Sequence, residues 1–170
     1  MQRIFGDKIM GISENMKIRK YNDADCLKIV ELFYNTVHSV NAKDYNKAQL
    51  NAWAPEEYDL DAWRERLSKN YTIVAEKGSI ITGFGSVDGF GYFDLLFVHK
   101  DYQGQGTATL IAERIEKYVL KKGFRRITTE SSITARSFFE KRGYTVRQEQ
   151  KVERGGEILV NFIMEKLLNN

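Results

Sequence analysis

Apolar positions recur along this chain with two different spacings. Residues 17–21, Lys-Ile-Arg-Lys-Tyr, alternate as a first strand does. Asp23 then stands where a helix cap is expected, ahead of a helix that carries Cys26, Leu27, Ile29, Val30, Leu32, Phe33, Tyr34 and Val37. After a polar stretch, a second helical patch is predicted over 45–53, ending before Pro55. A third is predicted over 60–67, capped by Asp59 or Asp61. The spacing then changes. Residues 71–76 and 80–87 are rich in β-formers and flank Lys77-Gly78-Ser79, which predicts a hairpin. Gly83 and Gly85, two apart, predict a bend or close packing on one face of the second strand. Asp88-Gly89 leads into a further strand over 92–98.

Helical spacing returns with Leu110, Ile111, Ile115, Tyr118, Val119 and Leu120, which predict a helix over 105–122 closed by Gly123. A strand is expected over 124–130, then a short helix capped by Ser132 or Thr134 and ended by Gly143. Strands over 145–152 and 157–164 flank Arg154-Gly155-Gly156 as a terminal hairpin. The sheet is thus expected to start antiparallel and to turn parallel across the long helix, because strand–helix–strand needs a crossover. Residues 1–15 show no period and are expected to be an extension. Residues 16–170 are expected to form one domain.

The stretch from Phe93 to Leu110 organises the rest. An apolar strand passes through Gly104 and Gly106 into a helix start, which gathers free backbone N–H groups at the positive end of a helix. A phosphate or pyrophosphate suits such a place. Gly106 and Ala108 would let a ligand approach the main chain, and Gln103 would add side-chain donors. A P-loop is excluded, since no Gly-Lys-Ser/Thr is present, and a dinucleotide fingerprint is excluded because its third glycine position is Thr109.

Composition narrows the classes further. A chain of 170 residues with 42% hydrophobic and 29% charged content reads as a globular domain with a real core. The net charge of +3, with no basic cluster beyond Lys121-Lys122 and Arg125-Arg126, argues no nucleic-acid partner, although it suits an anionic cofactor. Cys26 is the only cysteine and sits in an apolar pattern, so neither a disulfide nor a cysteine metal site is expected. With no apolar run of membrane length and no clear signal core, a cytoplasmic protein is the default expectation.

Gln103-x-x-Gly106-x-Ala108, within Val98-His-Lys-Asp-Tyr-Gln-Gly-Gln-Gly106, resembles the acyl-CoA pyrophosphate loop of the GNAT N-acetyltransferase superfamily. It departs at Lys100, where that family generally has proline. A second block resembles the family's later motif, with Ser132, Ala135, Phe139, Glu140, Lys141, Gly143 and Tyr144 in register. The resemblance covers about residues 17–166. It implies an α/β (α+β) GNAT fold: a mixed, mostly antiparallel sheet of six or seven strands flanked by about four helices. It also implies an acetyl-CoA-dependent N-acetyltransferase acting on a small-molecule or protein amine, with no membrane, no metal, and homodimerisation left open.

By the same resemblance, Gln103, Gly104, Gln105, Gly106, Thr107 and Ala108 would hold the pyrophosphate. Leu96, Phe97 and Val98 would pair with pantetheine, and Ser132 and Phe139 would lie beside it. Trp53 and Trp63 read as packing residues ahead of ligand residues, although by the resemblance the helices over 45–67 that carry them would wall the acceptor pocket. The position that often carries a proton-donating tyrosine is Phe139, which has no proton to give. Tyr144 or Tyr92 would supply it instead, or none is needed, since a thiolate is a tolerable leaving group. Phe139 also keeps open a non-catalytic acyl-CoA-binding module. Asp94 is the candidate base, expected on one face with Tyr92, Leu96 and Val98, where burial would raise its pKa. The alternative for Asp94 is pairing with a nearby arginine or lysine. His99 and His38 are weaker candidates.

Overall fold

In the computed structural model, residues 15–169 are described, so the expected extension lies outside them apart from Asn15. The frame is one seven-stranded sheet: β1 (Met16–Lys20), β2 (Tyr71–Lys77), β3 (Ile80–Val87), β4 (Tyr92–Val98), β5 (Arg126–Ser132), β6 (Thr145–Arg154) and β7 (Glu157–Leu167). Their order is β1-β2-β3-β4-β5-β7-β6. Among the described residues only β4 and β5 run parallel. Among the described residues five α-helices cover the sheet: α1 (Cys26–Ser39), α2 (Lys47–Trp53), α3 (Leu60–Lys69), α4 (Thr107–Lys121) and α5 (Ile133–Lys141). The first three pack with Val74, Phe84 and Leu95 on one face of the sheet. The last two pack with Ile73, Phe93, Ile127 and Met164 on the other.

The helix starts follow short polar side chains. Asn22, not Asp23, caps the turn before α1, and Asp25 returns to the Asn22 N–H. Asn46 caps α2 with Gln49 in the same reciprocal arrangement, and Asp59 caps α3. Ser132 caps α5 by accepting from the Ala135 N–H. Cys26 is buried in the first core, where burial pushes its thiol pKa up.

Two local features shape the centre of the sheet. Gly83 and Gly85 face α4, and a Cβ on Gly85 would lie 2.4 Å from Ile111 Cγ2, so the pair lets the helix settle on β3. The close packing expected of these glycines is what the structure has. Opposite them, β4 carries a bulge. Val87 pairs with Phe93 and Ser86 with Leu95, which leaves Asp94 as the extra residue. The bulge corrects the expected face. Asp94 turns toward α3, while Leu96 packs into the core beneath α4.

Candidate active site

Beyond the bulge the sheet opens. β4 and β5 pair only at Tyr92–Thr128 and Phe93–Thr129. The Thr129 hydroxyl donates to the Phe93 carbonyl at 2.9 Å and closes this apex. From Asp94 onward the two strands diverge around a cavity of about 540 Å³. The carbonyls of Leu95 and Phe97 point toward Gly85 and Gly83 of β3. By alternation, the Leu96 N–H and C=O face the open side, where no strand pairs. The Val98 carbonyl faces the same way, but it already accepts from Thr36 Oγ1 at 2.9 Å and from Gln103 Nε2 at 2.7 Å. Of the three residues expected to pair with a ligand, Leu96 therefore keeps both its backbone groups available.

The far end of the cavity is closed by the glycine loop. Gly104 and Gly106 have φ of 70° and 83°, and Gly106 is the N-cap of α4. No side chain caps this helix, and no acidic residue lies in its first turn. Its first intrahelical bond is Leu110 N–H to Gly106 C=O, so the N–H groups of Thr107, Ala108 and Thr109 end at the cavity. A Cβ at Gly104 or Gly106 would meet nothing within 4 Å, so the space over the loop is open. Gln103 corrects an expectation. Its side-chain amide ties the loop to β4 and is spent on Val98. Gln105 is exposed and does not line the cavity. The Thr107 hydroxyl turns to Met16 Sδ, so this residue offers its main chain.

Aromatic rings wall the opposite side. Phe97 stands 4.9 Å from Phe33 and 6.2 Å from Trp53, centroid to centroid. The Tyr45 hydroxyl accepts from the Ile133 N–H and donates to the Val160 carbonyl, tying the polar turn after α1 to α5 and β7. Phe139 is 3% exposed and stands edge-on to Phe93, so it forms an apolar wall. Trp53 lines the cavity, whereas Trp63 packs on Phe33.

The charged groups sort themselves at the apex. Asp94 is held by Arg66 through two bonds, at 2.8 and 2.6 Å, and by Asn70 at 3.3 Å. This is the arginine pairing foreseen as the alternative for that residue. Glu130, missed in the sequence reading, is the corresponding first residue of the other arm. It lines the cavity and has no hydrogen bond or ion pair among the described residues. Tyr92 also lines the cavity. Burial, reinforced by the charges of Glu130 and Asp94, pushes its phenol up to about 12. Tyr144 is not in the cavity: its hydroxyl donates to Glu116 at 3.1 Å beneath α4, and burial raises its pKa. The histidines are elsewhere too. His38 bonds the Ala54 carbonyl, and His99 Nδ1 accepts from the Asp101 N–H. Among the described residues no group of three metal-ligating side chains occurs, and no helix is long and apolar enough to cross a membrane.

Comparison with known proteins places this arrangement. Residues 41–166 match the domain described as "Acetyltransferase (GNAT) domain". An uncharacterised N-acetyltransferase of Escherichia coli K12, YafP, is 32% identical over 150 residues, covering 88% of this chain and 95% of its own. A GCN5-related N-acetyltransferase from Rhodopseudomonas palustris superposes with a TM-score of 0.87 at 33% identity, covering 89% of this chain and 95% of that one. The PaiA N-acetyltransferase of Thermoplasma acidophilum, solved in complex with coenzyme A, shares the fold at a TM-score of 0.71 and 21% identity, over 90% and 99% of the two chains.

Proposed function

The chain belongs to the GNAT family of N-acetyltransferases, and from that premise we propose that it moves an acetyl group from acetyl-CoA to an amine by direct attack. One observation carries the reading. The gap between β4 and β5 ends at an uncapped helix start with three free N–H groups. A pyrophosphate would sit on Thr107, Ala108 and Thr109, and pantetheine would lie along the open edge of β4 at Leu96. The acetyl group would then reach the apex.

At the apex, acetyl-CoA supplies the activated carbonyl. The amine nitrogen bonds to the carbonyl carbon, the C–S bond breaks, and coenzyme A leaves as a thiolate. The amine surrenders one proton, and the thiolate takes one up on its way to the thiol. Glu130 is the free carboxylate at this point and receives the proton. Asp94, with its oxygens spent on three N–H donors, instead fixes Arg66 and the acceptor wall. A backbone N–H such as that of Leu96 polarises the carbonyl. Tyr92, whose phenol burial keeps protonated, lines the cavity at the apex beside Asp94 and Glu130 with no side-chain hydrogen bond among the described residues, and is the proton donor on offer there. Positioning supplies much of the rate, because no covalent enzyme intermediate is needed.

Phe139 favours a second reading, an acyl-CoA-binding module without turnover, because the family's tyrosine hydroxyl is missing there. Thiol release from acetyl-CoA across a panel of amines separates the two. Release above the hydrolysis rate with any amine supports transfer. Tight acetyl-CoA binding with no release for any amine supports the module.

A further inference from the structure

Four charged side chains line the cavity among the described residues: Arg66, Asp94, Glu130 and Arg154. Arg66 and Asp94 neutralise one another. That leaves one free carboxylate and one free guanidinium. Arg154 has no hydrogen bond or ion pair among the described residues, although Glu157 lies opposite it in register.

The sheet register places these two groups at the ends of one strip. Glu130 pairs with Ile163, and Asn161 is two residues along β7, so Glu130 and Asn161 are diagonal neighbours on one face. Asn161 Oδ1 is buried, lines the cavity through its residue, and has no hydrogen-bond partner. An acceptor atom left in this state asks for a donor. Further along the same face come Leu159 and Val152, which pair with one another, and then Arg154. Trp53 lines the cavity with them.

Resting on the acetyl-transfer reading, we propose that the acceptor is an extended zwitterion: one ammonium group, an apolar or aromatic body, and one anionic group at the far end. Glu130 and Asn161 receive the ammonium at the apex, beside the acetyl carbonyl; Glu130 takes the proton whose loss frees the nitrogen lone pair, and the second proton, lost after attack, balances the one the thiolate takes up. Leu159, Val152 and Trp53 receive the body, and Arg154 takes the anion. Four residues of β7 separate the level of Asn161 from that of Arg154, about 14 Å of strand, which the long arginine side chain shortens. An α-amino acid, whose two charges sit on adjacent atoms, cannot span this. A polyamine or other polycation has only one free carboxylate to meet.

The test compares 4-(2-aminoethyl)benzoate with its methyl ester, which keeps the amine and the ring and removes the anion. Thiol release gives kcat/KM for each, and calorimetry on the protein saturated with coenzyme A gives Kd for each. The acid is expected to exceed the ester by about tenfold in both quantities, as befits one charge-assisted contact. Arg154→Ala should bring the ratio to about one, and Arg154→Lys should restore part of it. Asn161→Leu should weaken binding of both compounds while leaving the melting temperature equal or higher, because an orphaned acceptor is removed. Equal values for acid and ester in the wild type would overturn the proposal. So would an Arg154→Ala loss that falls equally on both, or failure to bind either compound. The two readings fail separately. Discrimination in Kd without thiol release removes acetyl transfer and keeps the zwitterion site, whereas equal turnover of acid and ester does the reverse.

Discussion

Replacing Gly83 by alanine tests whether the helix start and the cofactor site are one mechanical unit. A Cβ at Gly83 would lie 2.8 Å from Thr107 Cγ2, 3.0 Å from the Phe97 carbonyl oxygen and 3.1 Å from Ile111 Cδ1. Ordinary contact begins near 3.4 Å, so the first residue of α4 must withdraw by about 0.6 Å. That displacement is large against the range of a good N–H···O bond, so the N–H groups of Thr107 to Thr109 lose alignment with a bound pyrophosphate. Bonds to charged groups are worth about 1.5–3 kcal/mol each, and partial loss over three of them weakens acetyl-CoA by roughly tenfold. Gly85→Ala is the control. Its Cβ would press on Ile111 Cγ2 at 2.4 Å and Ile115 Cδ1 at 2.8 Å, deeper in the helix. It should cost about 1–3 kcal/mol of stability by overpacking and leave acetyl-CoA affinity nearer to wild type. The assays are urea denaturation for stability and calorimetry for Kd. If Gly83→Ala is destabilised but binds acetyl-CoA as tightly as wild type, the helix start is not the site that holds the cofactor.

The carboxylates at the apex should separate by role. Glu130→Gln should lower kcat by about 10²-fold or more while acetyl-CoA affinity is retained, and Asp94→Asn should act mainly on the KM of the amine, by freeing Arg66; steady-state kinetics on both variants check this, and the reverse pattern would return the base role to Asp94. Tyr92→Phe should reduce kcat at unchanged acetyl-CoA affinity, and an unchanged kcat would show that the thiolate leaves without help. Tyr144 makes a stability prediction. Burial, and then the Glu116 charge, raise its folded pKa above that of the unfolded chain, so above about pH 10 only the unfolded state ionises and stability falls as pH rises. Tyr144→Phe should fall less steeply than wild type in denaturant titrations at alkaline pH, and identical slopes would exclude this contribution.

Much of the fold was legible because periodicity and punctuation agreed. The run from β4 through Gly104 and Gly106 into α4 stood out in chain order, and Gly83 and Gly85 announced the close approach that seats the helix. What stayed hidden depends on pairing between distant segments. The bulge at Asp94 shifts every later side chain of β4 to the opposite face, and a period-two pattern carries no mark of where a partner strand skips a residue. The Arg66 clamp on Asp94 joins residues 28 apart in sequence. Gln103 looked like a phosphate donor because its reach to the Val98 carbonyl exists only once the loop is folded. Glu130 ends a run of Thr-Thr-Glu that reads as an ordinary strand, and its role follows from its place beside the apex. Asn161 and Arg154 gain meaning only from the β5–β7–β6 register. Tyr144 matched a motif, yet α4 claims it through Glu116.

The central claim is that acetyl-CoA lies between β4 and β5 with its pyrophosphate on the start of α4. Backbone amide resonances followed during an acetyl-CoA titration test it most directly. The largest shifts should fall on Leu96 and on residues 104–109, with smaller ones at Ser132 and Phe139 where α5 flanks the gap. Shifts confined to the outer strands β1 and β6, or none at saturating acetyl-CoA, would contradict it.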